Sequence, residues 1–338
     1  MTRFHILTQY IWPDAAPTGL YAEHLALRLQ EEGCEVFLIG GNGEYRSSQR
    51  EKPPIEIHHL EHYRGRRGRV AGSLREYASI SRAFERYIDE DVGEGDIVIC
   101  TSAPPNTVQL APCIKRRRAC AVYWLQDYYP ELVRGVHEYP RPLRMAFRKW
   151  WDRRLIQWDR VVKIGANLGG DLPNAVVIRN WPTISFEEDF QSEPKTALYV
   201  GNLGYGHDVD LLVRGCSRLR DEGYSIDIYA DGPGTRFLPS WLKSKGALKC
   251  ASDLRNALLS HEVHLVAAHP KIQNAIFPSK IWNSLAAGAE LFPTGFEGEM
   301  LAEFEASRTA LFDQHLGQWI ALLFSLESGG KQVFAAAA

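Results

Sequence analysis

The stretch Phe277-Pro278-Ser279-Lys280-Ile281-Trp282-Asn283-Ser284-Leu285-Ala286-Ala287-Gly288 carries the most chemistry in this chain. Ser279 reads as a helix N-cap and Gly288 as the glycine just past the helix end. Lys280 then sits in the first turn, near the positive end of the helix dipole. A cation there costs roughly 0.3–1 kcal/mol unless an anion neutralises it. The segment is therefore odd as scaffold and sensible as the seat of a diphosphate. Asn283, one turn further on, can face the same ligand. The competing reading is a surface lysine that simply extends into water.

Two more loops point the same way. In Val200-Gly201-Asn202-Leu203-Gly204-Tyr205-Gly206-His207-Asp208, three glycines fall within six residues of a strand end. Such a turn can aim backbone N–H groups at a phosphate, with Asn202 and Gly204 lining it and His207 at its mouth. Asp208 reads as the cap of the next helix. Asp231-Gly232-Pro233-Gly234 ends a neighbouring strand and would share the same rim. A tight structural turn is the alternative for both loops. Near the N-terminus, Thr18-Gly19 opens a helix after a long loop. It offers either unpaired N–H groups for an anion or an ordinary threonine cap. Asp127, in Trp124-Leu125-Gln126-Asp127-Tyr128-Tyr129-Pro130, leaves a buried strand. It can orient a hydroxyl group or shape a turn. Glu297 and Glu299 follow another strand end and either approach a ribose or cap a helix. His261-Glu262-Val263-His264 lacks the His-Glu-x-x-His spacing of a zinc helix, so structural histidines are expected.

The elements that must hold these residues alternate. Short, continuously apolar runs, such as Phe4–Thr8, Glu35–Gly40, Ile97–Thr101 and Ala121–Gln126, are separated by amphipathic stretches. That is the signature of parallel strands buried on both faces by helices. Helices are expected over 19–32, 74–88, 106–118 and 142–158. The pattern pauses after Asn180-Trp181-Pro182-Thr183 and resumes at Thr196–Val200, then Ile226–Ala230, Val263–Ala267 and Glu290–Pro293. Helices are expected at 209–222, 237–245, 252–260, 279–287 and 316–326. The expectation is two Rossmann-like, doubly wound α/β domains facing across a cleft, at 1–183 and 196–330. A linker at 184–195 and a tail at 331–338 complete the division.

Length and composition agree. The 338 residues suit two domains, and 45% apolar with 24% charged residues is ordinary for a globular chain. Lys+Arg is 39 and Asp+Glu is 41, so no global cationic excess speaks for nucleic acid. The six scattered cysteines form no Cys-x-x-Cys pair and are expected reduced. No long apolar run marks a signal peptide or a bilayer span. A cytoplasmic protein is expected. Positive charge does gather in the first half, in Arg64–Arg69, Lys115–Arg118 and the aromatic helix Arg141–Arg154. That reads as docking on an anionic membrane or a lipid-diphosphate acceptor, or as a solvated face.

Taken in order, these motifs resemble the GT-B glycosyltransferases, in the large retaining family 4-like group that includes sucrose synthase. Pro17-Thr18-Gly19 with the following helix and Gly33-Cys34-Glu35-Val36 resembles the family's opening turn and "GHEV" strand. Tyr199-Val200-Gly201-Asn202-Leu203-Gly204 resembles its "YxGRL" strand, and Asp231-Gly232-Pro233 its "GxGP" turn. Pro278-Ser279-Lys280 through Gly288 resembles its donor helix. With Asn180-Trp181, the set is most similar to colanic-acid and O-antigen transferases. The resemblance implies a GT-B fold and a metal-independent, retaining, hexosyl-type transfer. The sugar passes from a nucleoside-diphosphate sugar to a glycan or lipid-linked acceptor, with no cofactor. It implies Lys280, His207 and the Gly19 and Gly204 loops around the leaving diphosphate, and Asp127 where relatives carry His or Asp facing the sugar. Four charged family positions are altered: Asn202 and His207 stand for an Arg and a Lys, and Ala275 and Asn283 for two glutamates. Relatives also finish with a helix that crosses back to the first domain, and none is evident after Ser328-Gly329-Gly330. Two other classes compete: a catalytically silent subunit of the same fold, and a sugar-nucleotide epimerase.

Overall fold

The computed structural model describes residues 2–41, 51–65, 70–136, 140–186, 192–204, 206–248, 250–309 and 311–327. The chain opens with β1 (Arg3–Tyr10), α1 (Pro17–Glu31), β2 (Glu35–Gly41), β3 (Glu56–Leu60), α2 (Val70–Asp91) and β4 (Ile97–Thr101). It continues with α3 (Ala111–Arg116), β5 (Cys120–Leu125), α4 (Tyr129–Val136), α5 (Arg141–Leu155), β6 (Arg160–Lys163) and β7 (Ala175–Val177). The strands form one sheet in the order β3-β2-β1-β4-β5-β6-β7, and every pairing is parallel. The central strands explain themselves. All five residues of β4 are buried, as only a strand covered on both faces can be.

The second series is β8 (Glu193–Asn202), α6 (Val209–Asp221), β9 (Ser225–Asp231), α7 (Ala251–Ser260), β10 (His261–Ala267), α8 (Lys280–Ala286), β11 (Glu290–Thr294), α9 (Gly298–Arg308) and α10 (Phe312–Glu327). Its four strands run parallel in the order β11-β10-β8-β9. In each sheet the chain reverses its direction of growth once, between β1 and β4 and between β8 and β10. The carboxyl ends at those two points are where such sheets bind ligands. The architecture is that of two Rossmann-like α/β domains.

Several elements differ from expectation, for identifiable reasons. Residues 237–245 form no helix. Leu238 precedes Pro239, which disfavours helical backbone, and takes φ −68, ψ 134. Instead Lys245 N–H donates to the Ile228 carbonyl, and Ser244 Oγ bonds both N and O of Ala230. This strap covers the outer edge of β9, which would otherwise be open to pairing. The stretch 106–118 divides into a short 3-10 turn, Pro105–Gln109, and α3, with Leu110 between them. Strand β3 and helices α4 and α9 had no counterpart in the sequence reading. Glu193–Lys195, expected in the linker, lies within β8, where Lys195 N–H donates to Glu262 Oε2. Residues 187–191 of that expected linker and the whole expected tail fall outside the described residues.

The two halves share one core. A single buried cluster runs from Leu125, Tyr128 and Trp181 to Phe277, Trp282, Phe304 and Trp319. Helix α10 returns to the first half: it contacts α1, and Trp319 packs on Trp124 at 4.6 Å between ring centroids. Helix α10, expected over 316–326, thus packs on the first half. Its apolar residues cover the first half rather than its own sheet.

Candidate functional site

Lys280 begins α8, and its ammonium reaches the end of β8. It stands over the Tyr199 ring, 4.1 Å from the centroid. Room for it comes from Gly201, whose φ is +137: a Cβ there would lie 3.2 Å from Lys280 Nζ. The nitrogen is buried and has no hydrogen-bond partner. Burial accordingly pulls its pKa down to about 7.

His207 sits beside it. Its ring meets Tyr199 edge-on at 6.4 Å and 90°, and its Nδ1 is also buried without a partner. Burial first, then the nearby Lys280 charge, lowers its pKa to about 3. The imidazole is therefore neutral at working pH and offers a dipole, not a second cation. Asp208 next to it caps α6, accepting from Leu211 N–H at 3.0 Å.

The glycine loops are packed against each other. A Cβ on Gly232 (φ +94) would run into Asn202 Oδ1 and lie 2.9 Å from the Leu203 carbonyl. Leu203 N–H donates to Asp231 O, and Gly234 N–H to Leu203 O. Gly204 borders the Asn202 amide, and Pro233 starts a 3-10 turn on the same rim. Asn202, Gly204, His207, Gly232, Pro233 and Lys280 thus form one neighbourhood. Part of its expected phosphate-binding amides is committed to holding the two loops together. Ser279 occupies the N-cap position of α8, yet its hydroxyl makes no cap bond. The helix has seven residues, too few for a strong dipole. The charge that matters is the ammonium itself.

Three expected residues stand elsewhere. Asn283 does not face the rim: its Oδ1 accepts from Thr183 N–H at 2.7 Å, and its Nδ2 donates to Thr183 Oγ1 at 3.1 Å. Both polar atoms tie α8 to the segment between the sheets. Glu299 is exposed in the first turn of α9 and bears electrostatically on Lys163 at the end of β6. Thr18 does not cap α1, whose N-cap is Ala16. Gly19 is required by close packing, since a Cβ there would overlap the Tyr10 carbonyl. The N–H groups of the first turn still point out of α1 unpaired by the helix.

Asp127 follows the end of β5, and its main chain meets the second half. It forms an antiparallel bridge with Ile276, and Tyr128 N–H donates to Ala275 O at 2.6 Å. Its own N–H donates to Ser102 Oγ at 2.9 Å. Burial raises its pKa to about 6. A carboxyl group in that range can hold or accept a proton near neutrality. The surrounding seam had no sequence signal. Asn167 Nδ2 donates to the carbonyls of Gln273 and Ile276, and Gly169 N–H to that of Asn274. Residues 273–276 are thereby stitched to two loops of the first sheet.

The histidine pair is structural in its setting. His264 is buried in β10, and His261 Nδ1 lies 2.8 Å from the Ala257 carbonyl. Among the described residues, no group of three or more His, Cys, Asp or Glu is arranged to hold a metal ion.

Comparison with solved structures places the architecture. Sucrose-phosphate synthase from Thermosynechococcus elongatus superposes with a TM-score of 0.65 over 98% of this chain and 100% of that one, at 12% identity. The catalytic domain of Arabidopsis thaliana starch synthase IV, bound to ADP and acarbose, gives 0.62 over 97% and 99%, at 11% identity. A glycosyltransferase from Rickettsia africae gives 0.56 over 98% and 100%, at 13% identity. The fold is GT-B. At such identities the likeness speaks for the GT-B fold alone. No family model matches the chain. One sequence relative, the Escherichia coli K12 protein WcaI, assigned to glycosyl transfer in colanic acid biosynthesis, is 29% identical over 107 residues. The match spans 30% of this chain and 26% of that protein, about a quarter of its length.

Proposed function

We propose that this GT-B protein transfers a sugar from a nucleoside-diphosphate sugar to a glycan or lipid-linked acceptor, with retention and without a metal ion. The observation that carries the reading is the buried, unpartnered ammonium of Lys280 beside the unpartnered Nδ1 of His207, at the switch point of the second sheet. A β-phosphate lodged there would give Lys280 the counter-ion it lacks. It would also be stabilised as negative charge grows during departure of the diphosphate. Asp127, from the facing sheet, would meet the sugar or the acceptor hydroxyl. The leaving phosphate would take the acceptor's proton, because the family's glutamate position is the fully buried Ala275. The partial likeness to WcaI supports cell-surface polysaccharide synthesis as the setting.

The acceptor side supports a membrane-proximal role. Arg141, Lys149 and Arg153 on α5 are exposed and meet no carboxylate at ion-pair distance among the described residues. Leu143 and Met145, 60% and 62% exposed, share that helix. By contrast Lys115, Arg116 and Arg118 are paired with Asp159, Asp89 and Glu94. The basic loop over 66–69 lies outside the described residues. No helix among the described residues is long and apolar enough to cross a membrane. Peripheral contact of α5 with anionic lipid at the inner face of the membrane is the proposal.

Titration calorimetry with UDP, GDP, ADP and their sugars tests the donor site. At least one should bind, and Lys280→Ala should abolish the heat. No binding of any of them would remove the reading. A second reading, a silent GT-B subunit, is favoured by Ala275, whose carbonyl is occupied by Tyr128. It predicts nucleotide binding without acceptor-dependent release of nucleotide.

A further inference from the structure

Resting on the donor site proposed above, we infer that the face of the Tyr199 ring is the seat that holds the Lys280 ammonium for the diphosphate. Tyr199 is then a positioning residue whose hydroxyl is dispensable. Tyr199 and Gly201 lie two apart on β8 and so present to the same side of the strand. The first supplies a ring face 4.1 Å from Nζ; the second, lacking a Cβ, supplies the space.

Among the described residues, the ring is the ammonium's one source of compensation. Lys280 Nζ has no hydrogen-bond partner. Burial is the sole influence on its pKa, so no carboxylate contributes. The ionisable groups against it are Tyr199 on β8 and His207 on the loop that follows. Burial pushes the Tyr199 phenol up, so it is neutral and acts through its quadrupole rather than as a phenolate. His207 is neutral as well. Tyr199 Oη, for its part, is buried and unpartnered, so nothing in the site uses the hydroxyl. A ring that attracts the ammonium fixes where it waits and favours its protonated form before the ligand arrives.

Inorganic pyrophosphate, together with whichever of UDP, GDP or ADP binds, is the probe. In calorimetry Tyr199→Phe should bind within about twofold of wild type. Tyr199→Leu should bind roughly 10-fold more weakly, as expected for a lost desolvated cation–π contact. Because leucine leaves a cavity, a shape-preserving series is decisive. Phenylalanine at 199 is replaced by its 4-fluoro, 3,5-difluoro and 3,4,5-trifluoro forms, which drain the ring face without changing its outline. Affinity should fall stepwise, and the pH above which binding weakens should move downward, with more protons taken up per ligand in buffers of differing ionisation heat. Flat affinity and an unmoved pH profile across the series would overturn the inference while leaving the donor site standing. Failure of wild type to bind pyrophosphate and every nucleotide would remove the donor site, and the inference with it.

Discussion

The rim of the second sheet and the seam between the sheets both bury polar residues, and they treat their charges differently. At the rim, Lys280, His207 and Tyr199 bury polar atoms that have no hydrogen-bond partner, Lys280 Nζ resting on the Tyr199 ring. At the seam, Asn283 is bonded twice to Thr183, Asn167 Nδ2 bridges two carbonyls, and Arg179 is paired with Glu303. His315 Nδ1–H donates to Asn180 O at 2.8 Å. A buried polar group without a partner costs about 1–3 kcal/mol and a charged one more, so the unmatched ammonium is the costly member of the rim. Unsatisfied atoms occur at the seam too, among them Asn167 Oδ1, Asn180 Oδ1 and the indole nitrogens of Trp124, Trp282 and Trp319; what sets the rim apart is that one of its unsatisfied groups is an ammonium. The comparison separates the Ser279–Asn283 motif itself, since Lys280 belongs to one class and Asn283, three residues on, to the other.

The sharpest break of this contrast is Lys280→Met. Charge-assisted bonds to a phosphate contribute about 1.5–3 kcal/mol each, so nucleotide affinity should drop about 10- to 150-fold for each such bond lost. Yet the empty protein should become more stable, because a buried ammonium that has no counter-ion is replaced by an apolar chain. The sign follows from the depressed pKa: the cost of charging Lys280 in the folded state is full below pH about 7. It fades as pH rises toward the ordinary lysine value. Melting curves of empty wild type should therefore climb between pH 7 and 10, and those of Lys280→Met should lack that rise. A variant that is both less stable and still able to bind would reverse the assignment.

At the seam the expected pattern is inverted. Glu303 is nearly fully buried against Arg179 and near Lys163. Glu303→Ala leaves that guanidinium without its partner and should cost roughly 2–3 kcal/mol, below the range for a fully buried pair because Arg179 is partly exposed. Denaturant unfolding measures it. Nucleotide affinity, measured at a temperature where the variant is folded, should be unchanged.

Asp127 lies between the two classes. Its backbone is stitched into the seam, and its carboxyl group, raised to about 6 by burial, has the cost of an unmatched charge. A raised carboxyl pKa means the folded state holds its proton more tightly. The stability loss is then absent below about pH 4 and complete above about pH 6. Asp127→Asn should stabilise by roughly 1–3 kcal/mol at pH 7.5 and by nothing at pH 4. Acceptor-dependent nucleotide release should fall, with donor binding retained. Equal gains at both pH values would show that the carboxylate is already compensated.

What could be read from the residues divides along the same line. The fold was legible because parallel strands buried on both faces leave uninterrupted apolar runs, as in Ile97–Thr101 and Ala121–Leu125. Lys280 was legible because a lysine opening a short helix is out of place. Asn283 was not, since its partner Thr183 lies 100 residues away and no local pattern encodes that pairing. The 273–276 stitching was invisible for a related reason: it is made chiefly by main-chain groups, which every sequence has. Tyr199 entered only as part of the strand that resembles "YxGRL"; its approach to Lys280 is a matter of tertiary structure. Helix α10 was expected over 316–326 but its packing on the first half was not, because amphipathic period shows that one face is buried, not which half of the molecule buries it.

The smallest expected effect tests the separation at its closest point. Asn283→Ala removes two hydrogen bonds and leaves Thr183 N–H unpaired at a half-buried site. Net values near 1 kcal/mol per bond set the loss at about 1–2 kcal/mol. If Asn283 serves the seam alone, the cost appears in the melting temperature, and nucleotide affinity stays within about twofold. Thr183→Val should then mimic the change, since it removes the hydroxyl that Asn283 Nδ2 reaches. Should Asn283→Ala instead weaken binding tenfold at unaltered stability, α8 would be presenting both its polar residues to the ligand, and the bonds to Thr183 would have to open on binding. The double variant Asn283→Ala/Thr183→Val distinguishes the two: a seam pair gives a combined loss smaller than the sum, whereas a ligand contact adds to whatever Thr183 costs.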